Sequence, residues 1–101
     1  MIIRLLSEAE SEVEDAAHWY EERSEGLGAR FLSELEDALT AIALRPTQPP
    51  VSIDRGVRDT RRRTLKHFPY SVVYEVRDDE CVIIAVAHLA RRPGYWRSRG
   101  K

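Results

Sequence analysis

The sequence predicts an α+β fold: an N-terminal strand, an antiparallel helical hairpin packed on a mainly antiparallel sheet, and a C-terminal three-stranded meander that completes the sheet. Three observations carry this. Apolar residues recur at helical spacing between positions 9 and 42, the period drops to two after position 59, and the later segments are joined by short polar connections. At 101 residues the chain has the size of one domain, 1–101, with no internal repeat or low-complexity tract.

Met1–Leu6 (MIIRLL) is short and β-branched at its start, so it reads as a strand. Ser7 and Glu10 form an S-x-x-E capping box, which predicts a helix from Ser7 to about Arg23. Ala9, Val13, Ala16, Ala17 and Tyr20 line its apolar face, and acids crowd its first turns, where the helix dipole favours them. Gly26 and Gly28 interrupt the pattern. A second helix follows over about Ala29–Leu44, with Phe31, Leu32, Leu35, Ala38, Leu39 and Ile42 in one broad stripe. The break is short, so the helices pair as a hairpin, and the prolines of RPTQPP (45–50) end the second one. Residues 51–59 read as a loop. Asp59–Lys66 reads as a strand with cations on both faces, Arg61 and Arg63 on one and Arg62 on the other. In the next strand Tyr70, Val72, Tyr74 and Val76 share a face. Cys81–His88 is apolar on both faces, as expected of a central strand.

Composition excludes several chemistries. A single cysteine, Cys81, rules out an internal disulfide and any multi-cysteine metal site, and its apolar setting reads as a small buried hydrophobe. His18, His67 and His88 lie in different elements without ligand spacing, no Gly-rich phosphate loop follows a strand, and no serine sits in a nucleophile elbow. No catalytic residue, cofactor or metal is therefore expected. No basic-then-apolar leader and no run near ~18 apolar residues occurs, so no membrane partner is expected and the cytoplasm is the expected compartment.

Charge is asymmetric. Residues 1–48 hold 11 acids and 4 bases, residues 49–101 hold 6 acids and 12 bases, and 14 of the 16 cations are arginine. Arginine suits bidentate contact with phosphate or carboxylate, so the second half is expected to meet an anionic partner. The cations concentrate at Arg61–Arg63 and in HLARRPGYW (88–96), where Arg91 and Arg92 stand beside Tyr95 and Trp96. Such a cluster suits an RNA backbone with a stacked base, or a protein interface in which arginine and aromatic residues are the anchors. A third reading leaves Tyr95 and Trp96 folded over the sheet edge.

The stretch RRTLKHFPYSVVYEVRDDECVIIAVAHLARRPGYW (62–96) resembles the ParE/RelE toxin superfamily of bacterial toxin–antitoxin modules, and WYEERSEGLGARFLSELEDAL (19–39) resembles that superfamily's helical hairpin. RelE-like members cut messenger RNA on the ribosome with a strand arginine, whereas ParE-like members act on DNA gyrase. Ser71 stands where the RNA-cutting members carry that arginine, which favours the ParE-like branch. The resemblance therefore implies a growth-inhibiting, plasmid-stabilising toxin of a type II toxin–antitoxin system that binds DNA gyrase. It also implies neutralisation by a cognate antitoxin, which alone would contact operator DNA. The alternatives are a ribosome-dependent endoribonuclease and a protein that binds only its antitoxin. Arg61, Arg63, His88, Arg91, Arg92, Tyr95 and Trp96 are the expected target-binding residues. Val13, Tyr20, Phe31, Leu35 and Tyr74 are those expected for the antitoxin.

Overall fold

The computed structural model describes residues 1–47, 52–54 and 59–100. In chain order the elements are β1 (Ile2–Leu5), α1 (Ser7–Arg23), α2 (Leu27–Leu44), β2 (Ser52–Asp54), β3 (Asp59–Thr64), β4 (Tyr70–Arg77) and β5 (Glu80–His88). They build one five-stranded sheet of order β1-β5-β4-β3-β2, with β1 parallel to β5 and the remaining pairs antiparallel. The predicted α+β architecture is present, with one more strand. Ser52–Asp54, read as loop, pairs with β3 at the sheet edge. Three residues are too few to show a period of two, so no pattern announced them.

Two helix boundaries depart from the sequence reading. The capping box does not form: Leu6 is the N-cap of α1, with no side-chain cap, and the Ser7 hydroxyl lies within the helix against Glu8. Helix α2 begins at Leu27, not Ala29, and it is capped from α1. Glu21 accepts hydrogen bonds from the backbone N–H groups of Gly26 (2.9 Å) and Gly28 (3.0 Å), filling orphan donors of the first turn. A Cβ on Gly28 would lie 2.6 Å from the carbonyl oxygen of Ala17, so this glycine sets how closely the two helices approach. The prolines at 49 and 50 lie outside the described residues.

The helix side of the sheet is the main core. Phe31, Leu35, Ala38 and Ile42 of α2 and Ala9 and Ala16 of α1 meet Val72, Tyr74, Cys81, Ile83 and Val86, with Leu65 and Phe68 from the β3–β4 connection. Tyr70, Val72, Tyr74 and Val76 share this side, as their alternation predicts. Burial raises the Cys81 thiol pKa, as its reading as a buried hydrophobe requires. The opposite face carries a smaller cluster of Val73, Val82, Ile84, Ala85 and Ala87, closed by Trp96.

A β-bulge decides which residues of β5 face which side. Tyr74 pairs with Ile83 and Val73 pairs with Ala85, so Ile84 is the extra residue. Strict alternation would place Val86 and His88 with Val82 on the outer face. The bulge resets the phase, turning Val86 into the helix-side core and setting His88 opposite Tyr70.

Candidate partner-binding site

The segment that leaves β5 folds as successive turns. Backbone N–H groups of Arg91, Tyr95, Arg97 and Arg99 donate to the carbonyls of His88, Arg92, Gly94 and Trp96, and Leu89 N–H donates to Pro69. Gly94 takes a φ of +75°, a region in which a side chain would be strained. These turns carry Tyr95 and Trp96 to opposite uses. Trp96 lies over the outer face of the sheet at 6% exposure, whereas Tyr95 reaches helix α1.

Glu12 of α1 holds this arrangement. Strand β1 ends at Leu5, opposite Ile83, and the chain then turns into α1, so on the edge away from β4 residues 84–86 of β5 have no strand neighbour. Side chains replace the missing strand. Val86 N–H donates to Glu12 Oε1 (3.0 Å), and Arg99 Nη1 donates to the carbonyl of Ile84 (3.2 Å). Arg99 also forms a two-point contact with the Glu12 carboxylate, at 2.7 Å and 3.2 Å, and the Tyr95 hydroxyl donates to Glu12 Oε2. The paired side chains are only 15% and 16% exposed, so the charges compensate each other away from most of the solvent. The Tyr95 phenol pKa is pushed up to about 12. Burial is the main cause, followed by the hydrogen bond to Glu12 and that residue's negative charge, against the opposing effect of Arg99 and Arg91.

His88 is oriented by its own loop. Its Nδ1 accepts the Ala90 N–H at 2.9 Å, which leaves Nε2 as the protonated nitrogen of the neutral ring, and the ring stands edge-on to Tyr70 at 5.0 Å. It borders two depressions. One is a cleft of about 550 Å³ between α1 and the end of the sheet, walled by Glu12, Asp15, Trp19, Tyr20, Tyr70 and Tyr95 among others. The second, about 80 Å³, lies on the outer face and brings Arg62, Ser71, Arg91 and Arg92 to the edge of Trp96.

The expected target residues therefore divide. His88, Arg91, Arg92 and Tyr95 come together, with Arg91 stacked on the Tyr95 ring at 4.0 Å. Arg61 and Arg63 do not join them. They pair opposite Tyr74 and Val72 on the helix side, and Arg61 is bound to Asp59 (3.0 Å) and to the carbonyl of Thr47 (3.0 Å). Arg62 shares the outer depression instead. Trp96 is a core residue and not an exposed anchor, because it is the large buried ring that covers the small outer cluster, with Tyr95 only partly buried at its side. The residues expected for the antitoxin divide as well. Phe31, Leu35 and Tyr74 are buried between the helices and the sheet, since the hairpin's apolar stripe is consumed by this chain's own core, while Val13 and Tyr20 remain partly accessible. Glu12 escaped the sequence reading. Its signal was a carboxylate three residues after Ala9 and four before Ala16, on the helix's apolar side.

The strand order, the helical hairpin and the turn-rich C-terminal segment define a class of small α+β protein in which regular elements form the body and an irregular tail carries Arg91, Arg92, Arg97 and Arg99. A solved structure described as the chromosomal ParDE TA system from P. aeruginosa has this fold. It superposes with a TM-score of 0.72 over 87% of this chain and 95% of that one, at 14% sequence identity. No curated protein sequence matches the chain at a significant level. Residues 3–93 match the family described as the ParE toxin of the type II toxin–antitoxin system parDE, and the chain belongs to that family.

Proposed function

We propose that this toxin arrests growth by binding DNA gyrase through the cationic turn after β5, without breaking a bond itself. In this reading a cognate antitoxin holds it inactive in the cytoplasm and supplies all contact with operator DNA. The observation that carries the non-catalytic part is the state of Ser71. This side chain is 2% exposed, and its hydroxyl is hydrogen-bonded to Thr64 Oγ1 at 3.0 Å. A buried, satisfied serine offers no positive charge to a scissile phosphate. Arg91 and Arg92 are exposed, and the Glu12 clamp fixes the base from which they project. A pre-organised pair of guanidinium groups suits recognition of carboxylate or phosphate groups on a macromolecule. The partly exposed Val13 and Tyr20, together with the exposed Trp19, give the antitoxin an apolar surface on α1.

The test separates supercoiling from translation. On induction in bacteria, DNA supercoiling is expected to fall while messages stay intact, and Arg91→Ala with Arg92→Ala is expected to weaken inhibition of purified gyrase at least tenfold. Codon-positioned message cleavage would replace this reading with the ribonuclease. Absence of any growth defect would leave a protein that only binds its antitoxin.

A further inference from the structure

We propose that the cleft between α1 and the end of the sheet receives an arginine side chain from a protein partner. The cleft meets the cationic turn at His88, Arg91 and Tyr95, but its opposite wall is built by α1. One stripe of α1 forms its wall: Glu12, Asp15, Ala16, Trp19 and Tyr20 recur at helical spacing, and Tyr70, His88, Arg91 and Tyr95 face them. At about 550 Å³ the cleft falls within the roughly 300–1,000 Å³ of pockets that take small ligands.

Its walls favour a planar cation. Four rings, Trp19, Tyr20, Tyr70 and Tyr95, surround the space, and an indole or phenol face attracts a guanidinium group. The protein already uses two of these rings that way. Arg23 lies 3.7 Å from the centre of the Trp19 ring, and Arg91 lies 4.0 Å from that of Tyr95. Arg23 is not among the residues walling the cleft, so it does not fill it. Tyr95 is engaged by Arg91 and Arg99, and Trp19 by Arg23, so among the described residues Tyr20 and Tyr70 are the wall rings with no cation stacked on them.

The uncommitted negative charge lies on the α1 wall, across the cleft from Arg91, which is stacked on Tyr95. Glu12 is matched by Arg99, but the carboxylate of Asp15 makes no hydrogen bond or ion pair among the described residues. Helix α1 holds seven acids against one arginine, so the whole wall attracts cations. The phenols of Tyr20 and Tyr70 have raised pKa values, chiefly through burial, so they stay neutral and their rings keep their hydrogen-bonding hydroxyls. Arginine fits better than lysine because its flat, weakly hydrated head stacks on rings while its fork meets a carboxylate.

The chain carries two tryptophans, Trp19 at the cleft and Trp96 on the other side of the sheet, so the indole N–H resonances supply a probe and an internal reference. N-acetyl-arginine methylamide titrated into the full chain is expected to move the Trp19 resonance saturably and leave Trp96 in place. The lysine amide should bind at least threefold more weakly, and the norleucine amide should give no saturable shift. Asp15→Asn, an exposed change on a helix surface, is expected to weaken the arginine amide at least fivefold. Equal responses to arginine and norleucine amides, or no effect of Asp15→Asn, would overturn the proposal. Tighter binding of spermidine than of the arginine amide would assign the cleft to free polycations and overturn it equally. None of these readouts involves toxicity or gyrase, so they stand or fall apart from the proposed target.

Discussion

On the helix side, thirteen of the described residues are buried together beneath two helices, whereas the outer cluster has six, and one of those is a tryptophan delivered by a chain of turns. The first face is built from periodic elements whose stripes match. The second is closed by a segment that has no apolar periodicity and is held in place by Glu12, Arg99 and Tyr95. The difference teaches where stability and recognition are separated. The helix side can be packed for stability alone, while the outer closure must order a loop and still leave Arg91 and Arg92 exposed.

Substitutions that empty each face test this contrast directly. Phe31→Ala removes a fully buried ring that packs against Tyr20, Phe68 and Tyr70, and it is expected to lower stability by about 4 kcal/mol in urea unfolding. Trp96→Ala should cost about 3 kcal/mol, at the lower end for such truncations, because its cluster is smaller and open at the rim. Its helical circular dichroism should be unchanged. A loss equal to that of Phe31→Ala would show that the two faces are equally important to the fold.

The clamp is the next smaller effect. Glu12→Gln keeps the size of the side chain but removes the carboxylate charge that Arg99 and Tyr95 bond, and a loss of about 2 kcal/mol is expected for a hydrogen-bonded charge of this kind. Backbone amide exchange should speed up in residues 89–100 and at Val86 more than in α2. Uniform exchange throughout the chain would mean that the tail is not secured separately.

Alkaline titration resolves the same contrast more finely. All four tyrosines have phenols raised above the ordinary 10.0, Tyr20, Tyr70 and Tyr74 mainly by burial and Tyr95 to about 12 with help from Glu12. A raised phenol favours the neutral form in the folded state, so the stability it confers is complete below pH 10 and is lost as the pH climbs toward 12. Ultraviolet phenolate absorbance should therefore lag behind that of the unfolded chain, and Tyr95→Phe should remove the latest-titrating component.

The smallest effect belongs to the opposite end of the hairpin. There Glu34 accepts the backbone N–H (2.9 Å) and meets the ring Nδ1 (2.5 Å) of His67. Burial alone would raise the Glu34 carboxyl, but the bonds from His67 outweigh it and hold the carboxyl below the ordinary 4.5. Its contribution is complete above pH 4.5 and is lost as the pH falls through the lowered value. His67 is 72% exposed, so Glu34→Gln is expected to change the melting free energy by less than ~1 kcal/mol.

By itself the sequence determined the helices, the meander and the buried identity of Cys81, because apolar periodicity is a local property of consecutive residues, whereas Phe31 and Leu35, expected to face the antitoxin, turned out to be core. It also placed His88, Arg91, Arg92 and Tyr95 close together, since they are neighbours along the chain. What the sequence could not decide was phase and reach. The bulge at Ile84 turned Val86 and His88 to the helix side, and the early end of β1 left β5 backbone groups for Glu12 and Arg99 to satisfy. Trp96 became core and Arg61 became paired for the same reason. Whether an aromatic or a cation is exposed depends on which distant surface needs covering or neutralising, and that is known only once the chain has closed on itself.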